Sequence, residues 1–149
     1  MKITKLFMLT ILTFLFFLQS NLMSASENFY KEAVNHFENK NFEKSKFLFQ
    51  RNLVFNPKDD LSYLYLAKIY KEEDNKKEVE KNLDTTLLLN PKNEEALFML
   101  IELQIEKSNF SRAQKLSQQF SLICSSLCNK KILITNKIQD LKSDKENKK

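Results

Sequence analysis

Apolar residues follow two patterns along this chain. One is a continuous run from Leu6 to Leu18, interrupted only by Thr10 and Thr13. The other is a helical periodicity that begins near Phe29 and continues to Leu141. Tyr63, Leu66, Ala67 and Tyr70 recur at i, i+3, i+4 and i+7, which places them on one helix face. Val79, Leu83 and Leu87 fall at every fourth position and predict a second helix. Ile134, Ile138 and Leu141 predict a last one, from about Asn129 to Lys142, with Asn136, Gln139 and Asp140 on its polar side. Short polar joints such as Asp74-Asn75 lie between these segments.

The pattern itself repeats. Pro57 and Pro91 are 34 residues apart, and so are Asn41, Asn75 and Asn109, and Tyr30, Leu64 and Phe98. The phrases Leu53-Val54-Phe55-Asn56-Pro57-Lys58 and Leu87-Leu88-Leu89-Asn90-Pro91-Lys92 match across that interval. Each unit reads as two helices. Asn41, Asn75 and Asn109 are expected to cap the second helix of each pair, because an Asn side chain accepts from an orphan backbone N–H. Asp60 and Asn93 are expected to cap the first helices of the second and third units. The prolines follow the second helices, where a residue without an N–H helps to end them.

A 34-residue unit of two helices resembles the tetratricopeptide repeat family. The second unit carries the resemblance best, with Tyr63-x-x-Leu66-Ala67-x-x-Tyr70, Val79-x-x-x-Leu83 and Pro91. The first offers Phe29, Ala33, Phe42, Ser45, Phe49 and Pro57, but has His36 at an aromatic position and Glu32 at an aliphatic one. The third offers Leu97, Leu100, Phe110 and Ala113. It departs by Ile101 at the small position, Gln104 at the aromatic one, Ser117 at the large one and no closing proline. The resemblance implies an all-α fold, a right-handed superhelix of antiparallel helix pairs (an α-α solenoid) with a capping helix. Its repeats would span about 26–59, 60–93 and 94–127 and its capping helix about 129–142, within a domain of 27–142 followed by a flexible basic tail, 143–149.

The resemblance also implies a concave groove lined by the first helix of each pair. Tyr30, Leu64 and Phe98 would form one column, Val34, Lys68 and Glu102 a second, and Phe37, Lys71 and Ile105 a third. Aromatic anchors with a polar rim are what protein recognition uses. The family's clamp for a partner's terminal carboxylate is not matched, because Glu102 would repel it.

Composition narrows the function classes. Glycine is absent, which excludes phosphate-cradling loops and dinucleotide fingerprints and disfavours tight hairpins. Basic residues number 24 against 19 acidic, a net charge of +5, interspersed rather than clustered. Nucleic acid is therefore not an expected partner. Lys2 and Lys5, the apolar run and Ser24-Ala25-Ser26 form the three parts of a secretory signal peptide, residues 1–26. Thirteen helical residues rise about 20 Å, short of the roughly 30 Å hydrocarbon core. The expected location is outside the cytoplasm, in the periplasm if the source is bacterial. The alternative is an uncleaved segment that anchors the chain to a membrane and a membrane-associated complex.

The candidate chemistry is sparse. Cys124 and Cys128, the only cysteines, lie where the third unit meets the last helix. Export favours a disulfide between them. Two unpaired thiols and a thiol-redox pair are the alternatives, although catalytic pairs more often read C-x-x-C. Two thiols without a nearby His make a poor zinc site. His36 has Glu32 and Lys40 one turn either side but no nucleophile, and reads as a packing residue. Glu72-Glu73 and Glu94-Glu95 read as solvated faces. No catalytic residue, metal or cofactor is expected. The expected function is an exported scaffold that binds a protein or peptide in its groove. The alternatives are a redox or assembly factor using Cys124 and Cys128, and a self-associating subunit.

Overall fold

A computed structural model describes residues 29–146; the predicted leader and the last three residues of the predicted tail lie outside them. Among the described residues there are seven helices and no strand. They are α1 (29–38), α2 (Phe42–Phe55), α3 (Asp60–Glu72), α4 (Lys76–Leu89), α5 (Glu94–Glu106), α6 (Phe110–Ile123) and α7 (Lys130–Glu146). The chain forms two compact units that divide between Ser62 and Tyr63.

The joints inside the helix pairs are built alike. Lys40, Asp74 and Ser108, again 34 apart, all adopt left-handed backbone, with φ of 58°, 52° and 57°. Each ends its helix in a Schellman motif: Asn41, Asn75 and Asn109 donate backbone N–H to the carbonyls of His36, Tyr70 and Gln104 at 2.8–2.9 Å. The same three Asn side chains then accept from Lys44, Glu78 and Arg112 and cap α2, α4 and α6. Asn93 caps α5 through the Ala96 N–H at 2.9 Å. Asp60 does not cap α3 but is its first helical residue. The preceding Asp59 holds the polar cluster instead, accepting from Ser62 Oγ at 2.6 Å and from buried Asn52 at 2.7 Å.

In the first unit, Ala33, Ser45 and Phe49 are fully buried, and Ser45 Oγ donates to the Ala33 carbonyl at 2.9 Å, so α1 and α2 touch at small side chains. In the second unit, Ala67, Val79, Leu83, Ala96 and Leu100 form one core cluster. Leu97, Ile101, Ala113, Phe120, Ile134 and Ile138 form the other, which seats α7 on α5 and α6. Leu141, the third member of the predicted stripe, lies outside the described side chains. The helix runs on to Glu146, so residues 143–146 are helical where a tail was expected.

The third repeat's departures have physical accounts. Gln104 is fully buried, donating to Glu80 at 2.9 Å and accepting from Asn109 at 3.0 Å. Lys107 and Arg112 also bind Glu80. The Lys107 hydrogen bond, aided by Gln104 and both cations, lowers the Glu80 carboxyl below its ordinary pKa against the cost of burial. Ser117 is too small to fill the place of Phe49 or Leu83. A groove of about 580 Å³ opens there between α6 and α7, with Leu122, Thr135 and Ile138 among its walls.

Left-handed backbone costs a β-carbon-bearing residue about 1–2 kcal/mol, partly offset because glycine is freer in the unfolded chain. Replacing Lys40, Asp74 and Ser108 by Gly should stabilise the protein by roughly 0.5 kcal/mol per site. The expected readout is a higher urea midpoint. A lower midpoint would mean that these side chains make contacts worth more than the strain they carry.

Candidate functional site

The second unit presents the outer faces of α3, α5 and α7. Glu102 on α5 joins all three helices, with Lys71 of α3 at 3.9 Å and Lys137 of α7 at 3.4 Å. Lys68 pairs with Glu95 at 2.8 Å and Lys76 with Glu106 at 2.6 Å. The Glu106 hydrogen bond and charge raise the Lys76 pKa above its ordinary value. Lys68 also lies 4.7 Å over the Tyr65 ring. Exposed pairs of this kind contribute little to stability, so the ladder orders a surface more than it stabilises a fold.

Two depressions flank this ladder between α5 and α7. One, of about 590 Å³, holds Phe98 among Lys92, Glu95, Leu127 and Lys130. The Phe98 ring tilts against Phe120 at 6.4 Å, and Lys130 lies 5.8 Å over it, within cation–π range. The other, of about 440 Å³, has Ile105 as its apolar floor and Glu102, Glu106, Lys137 and Asp140 around it. Among the described residues no group of three or more His, Cys, Asp or Glu is placed to hold a metal, and no helix is long and apolar enough to cross a membrane.

The predicted groove residues therefore divide. Phe98, Glu102, Lys68 and Lys71 lie on this surface. Ile105 reaches it, although it belongs chiefly to the core. Leu64 does not: at 3% exposure it packs with Ala67, Val79, Leu83 and Ala96. Tyr30, Val34 and Phe37 belong to the first unit and are half-buried there. The Tyr30 ring meets Phe49 edge-on at 5.9 Å, and Phe37 packs on Phe42 at 5.6 Å. His36 is half-buried, 3.8 Å from Glu32.

Sequence reasoning missed Glu94. Its carboxylate accepts backbone N–H groups from Ser125 at 2.7 Å, Ser126 at 3.1 Å and Leu127 at 2.8 Å, and the Ser125 hydroxyl at 2.6 Å. Those donors hold its pKa at about 2, the Ser125 hydroxyl first and the Leu127 N–H next. Cys124 and Cys128 flank the same loop with their sulfurs 2.14 Å apart, at bonding distance. The polar serines between two cysteines were the only signal that this loop had a partner.

No protein-family model matches the chain, and no curated protein matches it in sequence. Solved structures do match. The Arabidopsis OM64 TPR domain aligns with a TM-score of 0.71 at 13% identity, over 80% of this chain and 98% of that one. The chain has the tetratricopeptide-repeat fold. Two further tetratricopeptide-type structures agree. The Yersinia enterocolitica type III secretion chaperone SycD, in complex with a peptide of the translocator YopD, gives a TM-score of 0.67 at 16% identity, covering 80% of this chain and 93% of that one. The second TPR domain of human RPAP3, in complex with the HSP70 peptide SGPTIEEVD, gives 0.66 at 14% identity, covering 81% and 98%. At these identities the likeness establishes the tetratricopeptide fold and leaves the ligand to the surface chemistry.

An unfolded Glu94 carboxyl titrates near 4.5 and the folded one near 2. Its contribution to stability is complete above about pH 4.5 and is lost as the pH falls toward 2. Urea melts of the wild type and Glu94→Gln should differ most near neutrality and converge as the pH approaches 2. A difference that stays constant with pH would contradict the assignment.

Proposed function

We propose that this protein is an exported, non-catalytic scaffold that holds a segment of a partner protein against the α5–α7 face. The observation that carries the reading is the pair of depressions on that face. Phe98 supplies an anchor in one and Ile105 an apolar floor in the other, with charges of both signs around them. A fitting segment presents apolar side chains flanked by mixed charge. An acidic C-terminal tail fits poorly, because Glu95 and Glu102 add negative charge beside Lys68 and Lys71. The fold supports the reading in general terms, since two structures that share it hold peptides. Export draws on the leader pattern and on a cysteine pair suited to an oxidising compartment.

Self-association is the second reading. Leu88 and Leu122, 34 residues apart, are 81% and 87% exposed, and Val54 in the first unit is 76% exposed. Aliphatic side chains at the same exposed register of three repeats have no packing role.

Crosslinking of tagged protein in its native cells tests both readings. Phe98→Ala combined with Lys137→Glu, with circular dichroism confirming the fold, should lower recovery of the partner at least about tenfold, as loss of an aromatic hot spot does. Full recovery by the folded variant would overturn the groove, and recovery of the protein alone would favour self-association. The intact mass of the same sample should lack residues 1–26; a full-length mass would favour the membrane anchor.

A further inference from the structure

Glu94 is the first residue of α5, but its carboxylate does not cap its own helix, which Asn93 already caps. It reaches instead to a loop more than thirty residues on, where three successive backbone N–H groups and the hydroxyls of Ser125 and Ser126 converge on it. Successive N–H groups aimed at one anion require the backbone to curl into a nest. The three residues that form the nest, Ser125, Ser126 and Leu127, are the three enclosed by Cys124 and Cys128, whose Cα atoms are 5.2 Å apart. Cys124 is the C-cap of α6. The Leu127 and Cys128 carbonyls accept from the N–H groups of Lys130 and Lys131 at 2.9 and 3.1 Å and so begin α7.

We propose that Cys124, Cys128 and Glu94 form a redox-gated clasp, in which thiol–disulfide exchange sets how tightly the α6–α7 joint is fastened to the start of α5. An open chain must give up conformational freedom to form the nest. A ring closed by the disulfide has given up part of it already. The ring and the carboxylate therefore strengthen each other, and by reciprocity each does so by the same factor. Both cysteines are half-buried at the surface, within reach of a small dithiol. When a dithiol reductant attacks, the Cys124–Cys128 bond breaks and the reductant's own sulfurs close on each other. Two electrons and two protons pass to Cys124 and Cys128, which become thiols. The nest then loses its tether. Its loop also lines the Phe98 depression through Ser126 and Leu127, beside Glu94 of α5. Any effect on a bound segment rests on the function proposed above; the clasp does not.

The test is an equilibrium. The purified full chain is brought to equilibrium with mixtures of oxidised and reduced dithiothreitol, and the dithiol fraction is read by alkylation and mass. Glu94→Gln should shift the equilibrium toward the dithiol by about tenfold, within the usual range of coupling between sites. Ser125→Ala, which removes one donor, should shift it less and in the same direction. Amide exchange at 125–127 should be faster in the reduced wild type than in the oxidised one. Equilibrium constants unchanged from wild type in both folded variants would overturn the clasp. If Glu94→Gln does not fold, Ser125→Ala and the amide exchange decide alone.

Discussion

The fold depends on how closely two helices of a pair can approach. At each crossing one partner is alanine: Ala33 meets Ser45, Ala67 faces Val79, and Ala113 faces Ile101. The large and small members are exchanged in the third pair, but their combined bulk stays low. All six are buried. Close-packed interiors tolerate such compensated swaps better than added volume. The crossings bring the larger residues, Phe49, Leu83 and Phe120, into the cores.

Function falls to the surfaces that pairing leaves over. In the second unit α5 has three tasks. Leu97, Leu100 and Ile101 fill the cores, Phe98 and Glu102 face outward, and Glu94 at its first turn holds the loop between α6 and α7. A helix with so many apolar residues would be expected to bury all sides, yet Glu94, Glu95 and Glu102 give it a charged outer face. Ion pairs from α3 and α7 to Glu95 and Glu102 hold that face in a mixed-charge state. The Ser117 substitution opens a further groove on the α6–α7 side.

Much of the fold is legible in the sequence because 34-residue spacing acts on several registers at once. The Asn caps, the proline stops and the alternation of helices follow from it directly. Asp60 reads as a cap in the sequence because Asp59 and Asp60 are adjacent and local rules do not choose between them. Repeat equivalence with Phe98 points Leu64 to the groove. The two positions are equivalent in sequence, but the aromatic ring extends beyond the core and the leucine does not. Gln104 looked like a defect, and its place in a buried network depends on Glu80, 24 residues earlier, and Asn109. Glu94 looked solvated because its donors lie across the fold. The left-handed residues were invisible because Lys, Asp and Ser stand where glycine would have announced the turn.

Substitution at the crossings against substitution at the exposed register is the most direct measurement. Ala67→Leu and Ala113→Leu should each destabilise the protein by about 1–3 kcal/mol through overpacking. Leu88→Ala and Leu122→Ala should change stability by less than about 0.5 kcal/mol. Urea denaturation of the four variants gives both numbers. Tolerance of leucine at Ala67 and Ala113, or a large loss at Leu88 and Leu122, would contradict the account of what holds these helices together and which surfaces remain free.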